Sequence, residues 1–480
     1  MRTKPRVQSR AGIRATYDAA ATTDDNRRHW ANADSMSANA ANDPYTRQQL
    51  RDRSRYEAAN NSYYAGVLDS IANDLVGTGP RPQITIPGVD RQVAREIEKL
   101  WLLWADQIDL AADLRLGKKS KTRDGEMVAL QISNPVLDPF LPQLDLKIYD
   151  AEQMATPGLF VDRDPNNIDG VVLDEYGNPK EYHLLKYHPG DGWGWFGNNA
   201  NIERISPDRM CHWFRMDRCG QARGIPETTP ALPLFAQLRR FTLAVLTAAE
   251  FAASLNGVLE TDAPLDDGDD GYENTEDGPV IRPYARVEFE RGGLLTLPKG
   301  NKATGFKAEQ PVATHDMFTD KLLKEIGRSM NVPFCVIAGD SSKANYSSAK
   351  LDFQHYHKSI RVERRSMELR VLRKLFMKWI AEAFTMGILP AGLPPIASWA
   401  LSWYWDGFES IDPLKDANAN QSLLQSNQTT LAELYAEYGQ DWEEQVRQRA
   451  AELNLLRELG ISDSQASPAV SPVEDFANAS

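Results

Sequence analysis

Between Asn331 and Leu351 the chain reads NVPFCVIAGDSSKANYSSAKL, and no other stretch constrains its architecture as much. Val332-Pro333 forces extended backbone before the proline and ends the helix that precedes it. Gly339, Asp340, Ser341 and Ser342 supply turn chemistry, with no apolar anchor beyond Ile337. Ser347 or Ser348 can then accept from the unpaired amides of a new helix. That helix is predicted to run from Ser347 to Phe384, about 55 Å at about 1.5 Å per residue, the longest of the chain. It carries Arg361, Arg364, Arg365, Arg370, Arg373, Lys374 and Lys378 around an apolar stripe of Ile360, Met367, Leu369, Leu372, Leu375, Phe376 and Trp379. A short polar connector is thus held between two helices.

Around this element the chain changes character several times. Residues 1 to about 55 are rich in Arg, Ala, Asn, Ser and Asp and read as a loosely ordered basic arm. From Arg51 to Val76, Tyr56, Ala59, Tyr63, Val67, Ile71 and Leu75 follow a helical stripe that ends at Gly77 and the breaker run TGPRP. A second amphipathic helix is expected over Asp90 to Trp104. From about Gly125 to Phe214, short alternating runs separated by Asn, Asp, Gly and Pro predict strands and hairpins, with a turn at Tyr176-Gly177-Asn178-Pro179. A long helix follows from about Thr229 to Asn256. The run TDAPLDDGDDGYENTEDGP has many carboxylates and no basic residue, so a solvated loop is expected there. The strand-like VIRPYARVEFE and GGLLTLP come next, then a helix from about His315 to Met330. After the connector and its long helix, WALSWYW reads as a strand. Short helices run from Asp412, with Asp412 as cap and Pro413 at the first position, to about Leu459. The tail SDSQASPAVSPVEDFANAS is low in complexity.

At 480 residues the chain exceeds what one core usually serves, so several parts are expected. No window approaches eighteen uninterrupted apolar residues, and MRTKPRVQSRAGIR lacks an apolar segment. Neither a membrane span nor a secretion signal is expected, which points to a cytosol-like compartment. Cys211, Cys219 and Cys335 make an odd count without a disulfide framework and are expected to be free thiols. A net charge of −13 argues against a protein whose main business is gripping nucleic acid. It is compatible with a conduit, because a basic bore would hold a duplex whereas an acidic or mixed one lets it move.

Candidate chemistries are weak. Ser347-Ser348-Ala349-Lys350 fits the S-x-x-K pattern of penicillin-recognising acylases, yet no S-D-N or K-T-G partner follows in order, and Ser347 reads as a helix cap. His183, His188, Cys211, His212 and Cys219 share a β-rich stretch, but their spacing fits no common zinc site. DDGDDG lacks the calcium-loop register. No phosphate-binding loop occurs, so no ATPase is recognisable in the chain. No catalytic residue, metal or cofactor is expected.

Several motifs resemble, in family order, the lambda-type portal proteins of tailed phages. They are RYEAANNSYYAGVLDSIANDLVGTGPRPQ, Asp124-Gly125-Glu126, GVVLDEYGNPKEYHLL, GQARGIPETTPAL, LLTLPKG, NVPF with GD and NYSS, and IDPLKDANA. The likeness runs from about Arg51 to Glu452. The acidic stretch 262–277 is longer than the pattern suggests, and Cys219 stands where proline is expected.

The resemblance implies an α+β portal fold: a β-rich wing, a two-helix stem, a small α/β clip, a long tunnel helix and an α-helical crown. It divides the chain into an arm (1–50), wing (51–228), first stem helix (229–256), clip (257–313), second stem helix (314–332), tunnel loop (333–346), long helix with a wing return strand (347–411), crown (412–460) and tail (461–480). It further implies a ring of twelve subunits at a capsid vertex, assembled in the host cytoplasm and passing double-stranded DNA without sequence preference. The implied partners are the terminase large subunit, a head-tail adaptor protein, and the major capsid and scaffolding proteins. Asp340, Ser341, Ser342, Lys343, Asn345 and Tyr346 become the DNA-facing loop. Asp266, Asp267, Asp269 and Asp270 fall in the acidic loop of the clip. Arg361, Arg364 and Arg365 are candidates to touch DNA or a neighbouring subunit, against the alternative that they coat a solvated face beside Glu363 and Glu368. The rival readings are a scaffold-like virion protein and a metal-dependent or acyl-transfer enzyme.

Overall fold

Asp43 and Asn61 divide the first helical stretch by the same device: each side chain accepts hydrogen bonds from two backbone amides just downstream. In a computed structural model the described residues are 23–24, 27–156, 166–191, 202–254, 258–261, 301–304, 314–343, 345–408 and 412–460. The acidic run with Asp266, Asp267, Asp269 and Asp270, the strands expected at VIRPYARVEFE and GGLLTLP, nearly half of the basic arm, and the tail lie outside them.

The first helices are α1 (Ala38–Ala41), α2 (Pro44–Asn60) and α3 (Ser62–Val76). The single stripe expected from Arg51 to Val76 is therefore two helices, because Asn61 leaves helical geometry (φ −119°, ψ 113°) and starts α3 afresh. Gly77 ends α3 at φ 58°, as expected. Strand β1 (Arg81–Thr85) leads to α4 (Arg91–Gln107), capped by Asp90, and to α5 (Leu110–Asp124). No apolar stripe predicts α5. Its buried residues include Lys118, Ser120, Lys121, Thr122 and Asp124, so hydropathy is blind to it.

The β-rich part is antiparallel throughout. Strands β2 (Glu126–Ser133) and β3 (Leu144–Tyr149), then β4 (Asn167–Ile168), β5 (Val171–Leu173), β6 (Pro179–Leu185), β7 (Ile202–Ile205) and β8 (Met210–Phe214), build two sheets, ordered β3-β2-β8 and β4-β5-β6-β7. Both faces of β2 are covered. Met127 and Ala129 join the main core, while Val128 and Leu130 join a second core with Met154, Val171, Tyr182, Leu184, Ile205 and Met210.

Helix α6 (Leu232–Ser254) is followed by the paired strands β9 (Val258–Thr261) and β10 (Asn301–Thr304), then by α7 (Thr314–Met330) and the one-turn α8 (Phe334–Ala338). The long helix is α9 (Tyr346–Met367), a π-helical turn over Glu368–Leu372, and α10 (Arg373–Thr385). Leu369, expected in its apolar stripe, is 44% exposed. Strand β11 (Ala400–Tyr404) pairs antiparallel with β1, more than 300 residues earlier in the chain, as in Gln83 opposite Ser402. Helices α11 (Pro413–Gln425), α12 (Leu431–Glu437) and α13 (Trp442–Glu458) complete the described chain, with Asp412 and Pro413 opening α11 as expected.

The centre of the main core is aromatic. Trp101 lies 4.6 Å from Trp104, 5.3 Å from Trp379 and 5.4 Å from Phe376 between ring centroids, joining α4 to α10. Helices and sheets together give the mixed architecture expected of an α+β chain. Among the described residues, no helix is long and apolar enough to cross a membrane.

Candidate functional site

The connector between α7 and α9 is tightly specified. Helix α7 ends with Asn331 in the left-handed conformation (φ 56°), and the Val332 amide donates to the Gly327 carbonyl at 2.9 Å. This turn closes so tightly that a Cβ on Gly327 would lie 2.6 Å from the Val332 oxygen. Pro333 then starts α8, a helical turn where the sequence predicts only loop, because Phe334 and Ile337 supply apolar anchors. Ile337 is buried, and the Lys324 ammonium sits 5.0 Å from the Phe334 ring centroid. Gly339 leaves α8 at φ 64°.

Beyond it Asp340 is half-buried, while Ser341, Ser342 and Lys343 are exposed. Asp340 Oδ1 accepts from the Ser342 amide at 2.8 Å, and hydrogen bonding from Ser342 holds its carboxyl below the usual range. Lys343 reaches back to α7, where its ammonium pairs with Asp320. Asn345 Oδ1 accepts from the Ser348 amide at 2.8 Å. Asn345 therefore takes the cap expected at Ser347 or Ser348, because the helix starts at Tyr346 and Asn345 stands one residue before it. The side chain of Tyr346 lies outside the described residues.

The three arginines of α9 diverge. Arg361 is exposed and lines a cavity of about 560 Å³ with Asp74, His357, Phe408 and Tyr438. Arg365 is exposed and pairs with Glu368 at 2.9 Å. Arg364 corrects the expectation that it faces outward. It is 8% exposed and donates to the Leu75 and Asp74 carbonyls at 2.9 and 3.0 Å, with its guanidinium over the rings of Trp405 and Phe408. Burial, with repulsion from Arg361, lowers its pKa to about 10. Such a residue ties α9 to the C-terminal end of α3.

The residues that sequence reasoning left apart form a buried ionic knot. Glu126 is fully buried, and both its oxygens accept from Arg223 Nε at 3.1 Å. Arg51 donates to it at 2.6 Å, the Gly224 amide at 3.1 Å, and His212 Nε2 lies 2.9 Å away. Burial alone would raise the Glu126 carboxyl. Arg223, the His212 hydrogen bond and Arg51 outweigh that and hold it well below its ordinary value. Arg223 also donates to the Ala151 and Met154 carbonyls and reaches Asp169, which pairs with Arg47. A second cluster joins Lys118 and Lys121 of α5 to Glu227, at 2.8 Å for Lys118, and Lys121 to Glu363 of α9 at 3.0 Å. The only sequence hint was that Asp124-Gly125-Glu126 and GQARGIPETTPAL belonged to one pattern.

The enzymatic candidates are occupied otherwise. Ser348 Oγ donates to the Asn345 carbonyl at 3.2 Å, and Lys350 turns to Asp416 at 3.3 Å. His183 lies beside Glu181, and the buried Cys211 accepts from Gln131. Among the described residues, no group of three or more His, Cys, Asp or Glu side chains is placed to hold a metal. The arrangement is a short polar loop, fixed at both ends, beside a body that holds buried ion pairs.

Comparison with known proteins adds the following. The family described as phage portal protein, lambda family, matches residues 24–364. The chain is 26% identical over 303 residues to the probable portal protein of Halomonas phage phiHAP-1, covering 61% of this chain and 56% of that protein. It is 22% identical over 446 residues to portal protein B of Escherichia phage lambda, covering 84% and 83%. Among solved structures, a chain from the neck of a native gene transfer agent particle aligns with a TM-score of 0.41 and 14% identity, covering 80% of this chain and 89% of that one.

Proposed function

The chain belongs to the lambda family of phage portal proteins, and from that premise we propose that twelve copies close into a ring at one capsid vertex, through which double-stranded DNA enters the head and later leaves it. The observation that carries this reading is the connector: a short polar loop between two helices, with no catalytic constellation beside it among the described residues. In a ring it forms the constriction. Asp340, Ser341 and Ser342 face the duplex, with Asn345 and Tyr346 at the mouth of α9. Contacts from such groups are weak and blind to sequence, and weak contact is what sliding needs.

The remaining parts follow the order of the chain. Residues 51–228 serve as wing, α6 and α7 as the stem, and 257–313 as the clip, whose acidic loop the terminase large subunit meets during packaging. The strands β1 and β11 return the chain to the wing, and α11 to α13 form the crown. Head-tail adaptor proteins replace the terminase once the head is full, while the major capsid and scaffolding proteins meet the ring during assembly in the host cytoplasm. Arg361 and Arg365 remain available to a neighbouring subunit, because head-to-tail contact repeated about an axis closes a ring. The chain supplies no energy, so its role is that of a conduit and docking platform rather than an enzyme.

Electron microscopy of the purified protein tests this directly. Closed rings with a central hole are expected; open filaments or isolated subunits at high concentration would overturn the reading.

A further inference from the structure

Lys343 is the one cation among the described residues from 339 to 345. A lone lysine on a loop that meets DNA would ordinarily be assigned to phosphate. Its surroundings are unlike that. Its ammonium pairs with Asp320, 23 residues earlier on α7. The charges of Asp340 and Asp316 add to the field that holds it protonated. Asp316 and Asp320 stand one helical turn apart and so share a face of α7. One carboxylate therefore pairs with the ammonium directly, and two more act on it at longer range. The same stretch of α7 holds the connector a second time, through Lys324 on the Phe334 ring and through Gly327, whose missing side chain admits the Val332 carbonyl.

We propose that Lys343 is a positioning residue, not a phosphate contact: through Asp320 it latches the connector onto α7, so that loop and helix move together and Asp340, Ser341 and Ser342 are presented outward. This rests on the reading of the connector as the DNA-facing constriction. The geometry fits a latch that opens and closes. Both partners keep solvent contact, with side-chain exposures of 53% for Lys343 and 21% for Asp320. The pair is thus salt-sensitive and breaks at little cost. With Lys343 engaged, the described loop offers a passing duplex no free cation. A rotation of α7 reaches the loop through both attachments.

Two measurements on the full-length protein test this. The first is amide exchange of the peptide spanning 331–343, which needs no DNA. Asp320→Asn and Lys343→Gln each speed exchange about two- to fivefold, the double variant no further, and the charge swap Asp320→Lys with Lys343→Asp restores slow exchange. Unchanged or additive rates would overturn the latch. The second is binding of a short duplex as a function of salt. Lys343→Gln leaves affinity and salt slope unaltered, whereas Asp320→Asn frees the lysine and raises affinity; a shallower slope in Lys343→Gln would make Lys343 a phosphate contact after all. If the unsubstituted protein forms no rings, the portal reading fails, and the exchange rates still decide the latch.

Discussion

Glu126 shows how much of this molecule rests on single buried charges. Arg223, Arg51 and His212 converge on it from three different chain segments, and Arg223 lies 97 residues away in sequence. Removing one member of such a cluster leaves the others buried without compensation, which costs about 3–5 kcal/mol. Glu126→Gln is therefore expected to lower the urea midpoint at neutral pH far more than a surface Glu→Gln change. The pH dependence has a definite sign. The folded carboxyl titrates well below its ordinary value of 4.5, so its contribution is complete above that pH and is lost as the pH falls through the folded value. Glu227, held down by Lys118 and Lys121 against its burial, behaves the same way. Urea midpoints measured from about pH 7 to pH 3 should fall steeply below about pH 4.5 in the parent protein and less steeply in Glu126→Gln; an unaltered slope would contradict the assignment. None of this was legible beforehand. Hydropathy records Lys118, Lys121 and Arg223 as surface residues, and only a partner distant in sequence makes them interior ones.

At the scale of elements, most helices and strands were legible because their apolar spacing was. The exceptions have local causes: Asn61 splits a stripe by capping, and α5 buries a polar face. The long helix is the instructive case. It was expected as one regular helix, and both of its halves are amphipathic. Its buried face runs through Tyr356, Ile360, Arg364 and Met367, then resumes at Val371, Leu375, Trp379 and Ala383. The π turn at Glu368–Leu372 absorbs one extra residue between the halves, so both keep facing the core. Deleting the exposed Leu369 should convert this turn to ordinary α-helix and cost less than about 2 kcal/mol. Deleting Lys378 rotates the end of α10 by about 100° and turns Trp379 out of the aromatic cluster. Thermal unfolding followed by tryptophan fluorescence separates the two: a cooperative transition kept by the Leu369 deletion and lost by the Lys378 deletion. Equal damage from both would show that the π turn does not serve as register compensation.

At the scale of the whole molecule, family and mixed architecture were legible because several motifs recur in one order. The way the parts are joined was not. Helices α11 to α13 contain no buried residue, while Leu414, Leu455 and Leu459 are exposed. They meet the body through ion pairs, Arg91 with Asp441 at 2.9 Å, Arg95 with Glu443, and Lys350 with Asp416. A close backbone approach adds to these, since a Cβ on Gly407 would lie 2.6 Å from Tyr438 Cα. A unit joined mainly by partly exposed ion pairs lends little stability to its host. Ending the chain at Phe408 should therefore leave the main thermal transition within about 3 °C of the parent, by calorimetry. A much larger drop would show that the three helices are integral to the core.

Strand β2 bears on how the β-rich part of the chain can be taken apart. Its successive residues belong alternately to two cores, Met127 and Ala129 to one, Val128 and Leu130 to the other. A party wall of this kind cannot be assigned to either room. No cut of the chain would release one core without leaving the other open along the whole strand, so the two are expected to be inherited, swapped between phages and lost together.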